Sequence, residues 1–263
     1  MYLTARNREY WVEDEGKGPP LCFLHGFTGS TAIWKETKRA FPDFRLILVD
    51  LPGHGKTGDV GVVSMEEVAE DLKVIFEKLQ LPKLSLLGYS MGGRTALYFA
   101  LHHPEMVDRL ILESASPGLK TEEERQERIK KDEKVSALLE NEGIEGFTNR
   151  WEDLPLFETV RSLPFHRRQS LRKQRLYNDP TGLTHSLQGM GTGTQPSLWR
   201  HLRDIGLPVC LIVGGEDGKY VKINREMEKG FARAEMHEIE GAGHIPHLEK
   251  PDIFSEIIRR FMI

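Results

Sequence analysis

Short apolar runs alternate with amphipathic stretches along the first 113 residues of the chain. Residues 21–24, 45–49, 84–87 and 110–112 are brief, largely apolar segments. Glycine, proline or polar residues bound them, the pattern of strands buried on both faces. Residues 9–12 read as an earlier strand. Met65, Val68, Ala69, Leu72, Ile75, Phe76 and Leu79 recur at three- and four-residue spacing, which predicts one face of an amphipathic helix. Residues 91–102 form a second helical stretch without proline. Near the C-terminus, residues 208–213 and 235–239 read as strands. Residues 251–261 read as a closing helix that buries Ile253, Phe254, Ile257, Ile258 and Phe261.

Strands separated by helices predict an α/β fold, a mostly parallel sheet flanked by helices on both faces. Ligands in such folds bind beyond the carboxyl ends of the strands. His25, Asp50, Ser90, Glu113, Asp217 and His244 all fall near such ends.

The alternation stops after Ser116-Pro117-Gly118. Residues 121–134 are dense in Glu, Lys and Arg. Further helical pieces follow, interrupted at Pro155, Pro164 and Pro180, and the strand pattern resumes at Pro208. Residues 117–200 are therefore expected to be a helical lid inserted into a core of residues 1–116 and 201–263.

The 263 residues suit one large α/β domain. With 36 basic against 40 acidic residues and a net charge of −4, the balance argues against nucleic acid or an anionic membrane as partner. No apolar run approaches membrane-spanning length, and the opening Met1 to Arg6 is not a targeting sequence. Cys22 and Cys210 each lie in an apolar strand, which fits core packing better than a disulfide or metal site. The expectation is a cytoplasmic protein with a small-molecule substrate.

The densest chemistry lies at Gly88-Tyr89-Ser90-Met91-Gly92, a G-x-S-x-G sequence between a strand and a helix. A serine on so sharp a turn needs small neighbours and projects its hydroxyl above the sheet edge, so Ser90 is the candidate nucleophile. A triad then requires a carboxylate and a histidine further along the chain. Asp217 follows the strand at 208–213, with Glu216 as the competing carboxylate. Asp217 is preferred as the last residue of a G-x-x-D turn. His244 follows the strand at 235–239, flanked by glycines. The N–H groups of Met91 and Phe27, the latter in the early His25-Gly26-Phe27 loop, are the candidate oxyanion hole. His25 and His54 are expected to shape loops rather than to catalyse.

Basic residues crowd the expected lid. Arg161, Arg167, Arg168, Arg172 and Lys173 are expected to form a solvated face. Arg94, on the helix leaving the serine, is expected to be buried and to need an anion, which a substrate carboxylate supplies. Phe147, Trp151, Phe157 and Trp199 are expected to pack the lid, with Trp151 also lining a pocket.

His25-Gly26-Phe27, Asp50-Leu51-Pro52-Gly53-His54-Gly55 and Gly88 to Arg94 resemble the α/β-hydrolase superfamily. Ser116 to Leu119, Glu124 to Arg128, Trp151, Arg175, Gly193 to Pro196 and Gly214 to Tyr220 narrow the resemblance. They are similar to the 2-succinyl-6-hydroxy-2,4-cyclohexadiene-1-carboxylate synthases of menaquinone (vitamin K2) biosynthesis. The resemblance implies a lyase that eliminates pyruvate from 2-succinyl-5-enolpyruvyl-6-hydroxy-3-cyclohexene-1-carboxylate through a Ser-His-Asp triad, without metal or organic cofactor. It further implies substrate binding by Arg94, Arg128 and Arg175, with Tyr89 and Trp151 as pocket residues and Arg125 at a neighbouring position. The competing readings are a carboxylesterase or C–C bond hydrolase of the same fold, and a non-catalytic receptor for a small acid.

Overall fold

A computed structural model describes residues Met1–Ile263. The chain opens with strands β1 (Tyr2–Ala5), β2 (Arg8–Glu15), β3 (Pro20–Leu24) and β4 (Arg45–Val49). Helix α1 (Met65–Lys78), β5 (Leu84–Tyr89), α2 (Met91–His102) and β6 (Val107–Glu113) follow. The segment between β6 and β7 carries α3 (Glu122–Glu152), α4 (Phe165–Tyr177) and α5 (Pro180–Met190), with 3-10 turns at Pro155–Ser162 and Trp199–Asp204. The chain closes with β7 (Val209–Gly214), α6 (Gly218–Gly230), β8 (Ala234–Ile239), α7 (Pro246–Glu249) and α8 (Pro251–Met262).

The eight strands form one sheet in the order β1-β2-β4-β3-β5-β6-β7-β8. From β4 to β8 every pairing is parallel, while β1–β2 and β2–β4 are antiparallel. β1 was not legible in the sequence. It is short and mostly exposed, and its turn uses Arg6 and Asn7, both at positive φ (45° and 73°), without a glycine.

The central strands are buried on both faces because their side chains alternate between two cores. Cys22 and Leu24 join the larger cluster with α1 and α2, whereas Leu21 and Phe23 join the cluster beneath α8. The two cysteines thus lie free on opposite faces. In α8, Phe254 and Ile258, four residues apart, point inward. The expected burial of Ile253 fails: one residue off that stripe, it turns about 100° away and is 48% exposed.

A capping box between Thr121 and Glu124 starts α3. The helix extends well past the charge-dense stretch at 121–134, kinking at Gly143 where φ is +64°. Leu139 and Phe147 of α3 pack on Leu183 and Leu187 of α5, giving this segment its own small core. No helix is long and apolar enough to cross a membrane.

Candidate active site

Ser90 occupies the junction of β5 and α2 with φ +52° and ψ −108°, a conformation rare for a residue with a Cβ. The turn is possible because its neighbours lack side chains. A Cβ on Gly88 would lie 2.2 Å from the Gly92 carbonyl oxygen, and one on Gly92 would lie 2.2 Å from that of Leu24. The Ser90 N–H donates to the Glu113 carbonyl at 2.8 Å, which ties the turn to the end of β6.

Asp217 and His244 come to Ser90 from the ends of β7 and β8. Asp217 caps α6, its Oδ1 accepting the Tyr220 N–H at 3.3 Å, while Oδ2 accepts from His244 Nδ1 at 2.6 Å. With Nδ1 carrying the proton, His244 Nε2 is free to accept from the Ser90 hydroxyl, 3.2 Å away. Glu249 fixes the His244 loop by accepting the N–H groups of Gly243 and Ile245 at 2.8 and 3.0 Å. Of the two candidate carboxylates, Asp217 is buried against the histidine and Glu216 is exposed.

A cavity of about 570 Å³ opens above these residues. The core lines it with Phe27, Tyr89, Ser90, Met91, Arg94 and His244, and the β6–β7 segment adds Arg128, Trp151 and Phe157. Met91 is the first residue of α2, so its N–H has no intrahelical acceptor. The Phe27 N–H donates to no protein group. Both donors border the cavity beside Ser90.

The basic residues separate into distinct environments. Arg94 is buried, and its Nη1 donates to the Met190 carbonyl at 2.8 Å and Gln195 Oε1 at 2.7 Å. Burial pushes its guanidinium down to about 10, so it remains cationic at neutral pH. Neutral acceptors position it without neutralising it. Arg128 pairs with Asp132 at 2.8 Å. Arg125 stays off the cavity, its guanidinium donating to the carbonyls of Gly193 and Thr194.

Arg175 departs from its expected place. It is buried, but it lies outside the cavity lining. Its Nη1 meets Glu152 at 3.0 Å, and its guanidinium packs 4.9 Å from the Phe157 ring centre. The Glu152 carboxylate of α3 supplies the anion that a buried guanidinium requires, so this side chain rests behind the wall. The expected solvated face is only partly realised. Arg168 and Lys173 are exposed, whereas Arg172 bonds to Glu152 and Asn149, and Arg167 to Glu36 and the Leu248 carbonyl.

His25 and His54 lie within the loops and off the cavity. His25 Nε2 accepts the Leu51 N–H at 2.9 Å while Nδ1 bonds the Gly26 carbonyl at 2.8 Å. His54 Nδ1 bonds the Pro52 carbonyl at 2.9 Å.

Among the cavity residues that sequence reasoning missed are Lys131, Lys219 and Tyr220. Tyr220 packs its ring 4.7 Å from that of His244. The available signal was position, since Lys219 and Tyr220 lie two and three residues beyond Asp217. Partial desolvation and then the charge of Arg128 lower the Lys219 ammonium below its ordinary range. Cys210, Glu235 and His237 converge at the opposite, N-terminal end of β7 and β8. Burial pushes the Cys210 thiol far up, away from the thiolate a metal needs.

The family described as alpha/beta hydrolase fold matches residues 19–251. A Bacillus subtilis (strain 168) protein, provisionally named 2-succinyl-6-hydroxy-2,4-cyclohexadiene-1-carboxylate synthase, is 43% identical over 96% of this chain and 94% of its own. The synthase of that name from Enterobacter sp. (strain 638) is 32% identical over 89% of this chain and 87% of its own. Among solved structures, MenH from S. aureus superposes with a TM-score of 0.91 at 34% identity, covering 96% of this chain and 97% of that one.

Proposed function

The chain belongs to the α/β-hydrolase-fold family and, within it, to the 2-succinyl-6-hydroxy-2,4-cyclohexadiene-1-carboxylate synthases, and from that membership we propose how its residues work. The protein is a carbon–oxygen lyase of menaquinone biosynthesis. It releases pyruvate from 2-succinyl-5-enolpyruvyl-6-hydroxy-3-cyclohexene-1-carboxylate and leaves the conjugated cyclohexadiene.

Ser90, His244 and Asp217 act as a base relay. Ser90 Oγ removes the proton from the ring carbon beside the succinyl carbonyl while its own proton passes to His244 Nε2. Asp217 holds the imidazole in the required tautomer and stabilises the imidazolium that forms. The electron pair from the broken C–H bond moves onto the carbonyl oxygen, where the N–H groups of Phe27 and Met91 meet it. The enolate then collapses: its electrons pass through the ring double bond and break the C–O bond to the enolpyruvyl group. Pyruvate leaves as its enolate and gains a proton on its methylene carbon, so the proton taken from the ring is balanced.

The substrate carries three carboxylates. Arg94 and Arg128 bind them within the cavity, and Tyr89 and Trp151 shape it. Arg175 contributes from behind the wall, fixing α4 to α3 through Glu152 next to Trp151. Residues 117–200 form the lid over a core of residues 1–116 and 201–263.

The observation that carries this reading is the Asp217–His244–Ser90 chain of hydrogen bonds at the base of a cavity that also holds Arg94. Esterases need the same chain, but a buried guanidinium held only by neutral acceptors suits an anionic substrate. The test follows pyruvate release and diene absorbance with wild type, Ser90→Ala and Arg128→Ala. Release by wild type, abolished in Ser90→Ala and reduced in Arg128→Ala, supports the mechanism. Equal rates in Ser90→Ala and wild type would overturn it.

A further inference from the structure

The triad and the oxyanion hole serve the carbon that loses its proton. Neither serves the oxygen that departs, although charge develops there as the C–O bond breaks. We propose that Tyr220 is a further catalytic residue, whose hydroxyl donates a hydrogen bond to the departing enolpyruvyl oxygen. This inference rests on the lyase reading above.

Three observations place Tyr220 for that task. Its backbone N–H is held by Asp217 Oδ1 and its ring lies against His244, so the residue is fixed to the catalytic machinery at both ends. It lines the cavity, yet its hydroxyl bonds to no protein group. Every other function of the ring is served by packing, so the polar atom is left for a ligand. Arg94 and Arg128 line the same cavity as Tyr220.

The chemistry of the leaving group selects its partner. In an enolpyruvyl ether the ether oxygen is two bonds from the carboxyl carbon. A carboxylate bound by Arg94 therefore holds that oxygen within the cavity that Arg94 and Tyr220 both line. As the C–O bond breaks, its electron pair moves to the oxygen, and the Tyr220 O–H stabilises the enolate without giving up its proton. The enolate is then protonated at carbon, as above. The tyrosine stays a donor throughout, because burial raises its hydroxyl above the ordinary phenol range.

The test compares wild type with Tyr220→Phe, which keeps the ring against His244, in deuterated water. Removing a hydrogen bond to a developing anion is expected to slow pyruvate release about 10- to 100-fold. Enolate formation survives in the variant while its collapse is slowed. Recovered substrate should therefore carry deuterium at the ring carbon beside the succinyl group, which wild type should not show. Unchanged release overturns the inference. So does slowed release with no deuterium in the recovered substrate, since that outcome means the hydroxyl acts on proton abstraction rather than on the departing oxygen. Wild type that releases no pyruvate above the uncatalysed background would overturn the lyase reading itself. An active wild type beside an unaffected variant would overturn this inference alone.

Discussion

The Glu113 carboxylate accepts from both the backbone N–H (2.9 Å) and the ring Nδ1 (2.8 Å) of His247, and both side chains are sealed from solvent. Glu113 ends β6, and its carbonyl holds the Ser90 N–H. His247 lies three residues beyond His244. One residue therefore registers the serine turn and the histidine loop against the same strand. Removing the carboxylate should leave two buried donors unpaired. Glu113→Ala is expected to lose about 3–5 kcal/mol of stability. Glu113→Gln, whose carbonyl still takes the His247 N–H, should lose less. Urea unfolding checks both, and activity of the glutamine variant should fall in kcat rather than KM.

Gly92 and Gly218 make a contrasting pair. A Cβ on Gly92 meets the Leu24 carbonyl oxygen at 2.2 Å, whereas one on Gly218 meets nothing within 4 Å. Gly92→Ala should push the turn off β3 and cost about 4 kcal/mol or more. Gly218→Ala, in the first turn of α6, should be neutral or stabilising by up to about 1 kcal/mol. Thermal melts of the two variants should separate clearly.

Arg94 should reveal itself as a binding residue. Arg94→Gln removes the charge while keeping a donor for the Met190 carbonyl. Loss of a buried carboxylate partner is expected to lower kcat/KM by at least about 30-fold. Steady-state kinetics with the three-carboxylate substrate measure this directly.

The Arg175–Glu152 pair should behave as one unit. Glu152 stays partly solvated, so breaking the pair from either side is expected to cost about 1–3 kcal/mol. Arg175→Met, Glu152→Gln and the double variant form a cycle. The double variant should be more stable than the sum of the single losses, as read by chemical denaturation.

Acid should destabilise the fold through His54. Burial first, and then the charge of His25, push its imidazole down to about 3 from an ordinary 6.5. Between those values the unfolded chain binds a proton that the native state refuses, so stability falls as pH drops below 6.5. The slope for this single proton approaches about 1.4 kcal/mol per pH unit. Burial shifts His25 in the same direction. His54→Asn should remove one proton from the measured dependence of denaturation midpoint on pH between 5 and 7. An unchanged slope would exclude His54 as its source.

Periodicity determined the α/β class and the parallel core strands, and the G-x-S-x-G spacing determined the serine turn. These features are local: an apolar strand, a run of glycines and a helical repeat each have a physical signature within ten residues. Strand-end positions also nominated Asp217 and His244, because the fold's architecture gathers strand ends together. Arg94 was legible through its place on the helix leaving Ser90. Ile253 was misjudged because an isolated helical pattern shows how wide an apolar stripe is, not which edge the neighbouring sheet covers. Arg175 could be named from the sequence, but its pairing with Glu152, 23 residues away, follows from how α3 and α4 dock. The burial of Glu113 with His247, 134 residues apart, and the approach of Tyr220 to His244 belong to the same class. Which cation meets a protein carboxylate and which is left facing the cavity depends on distances between elements. Those distances are set by packing across the whole chain, and no local pattern encodes them.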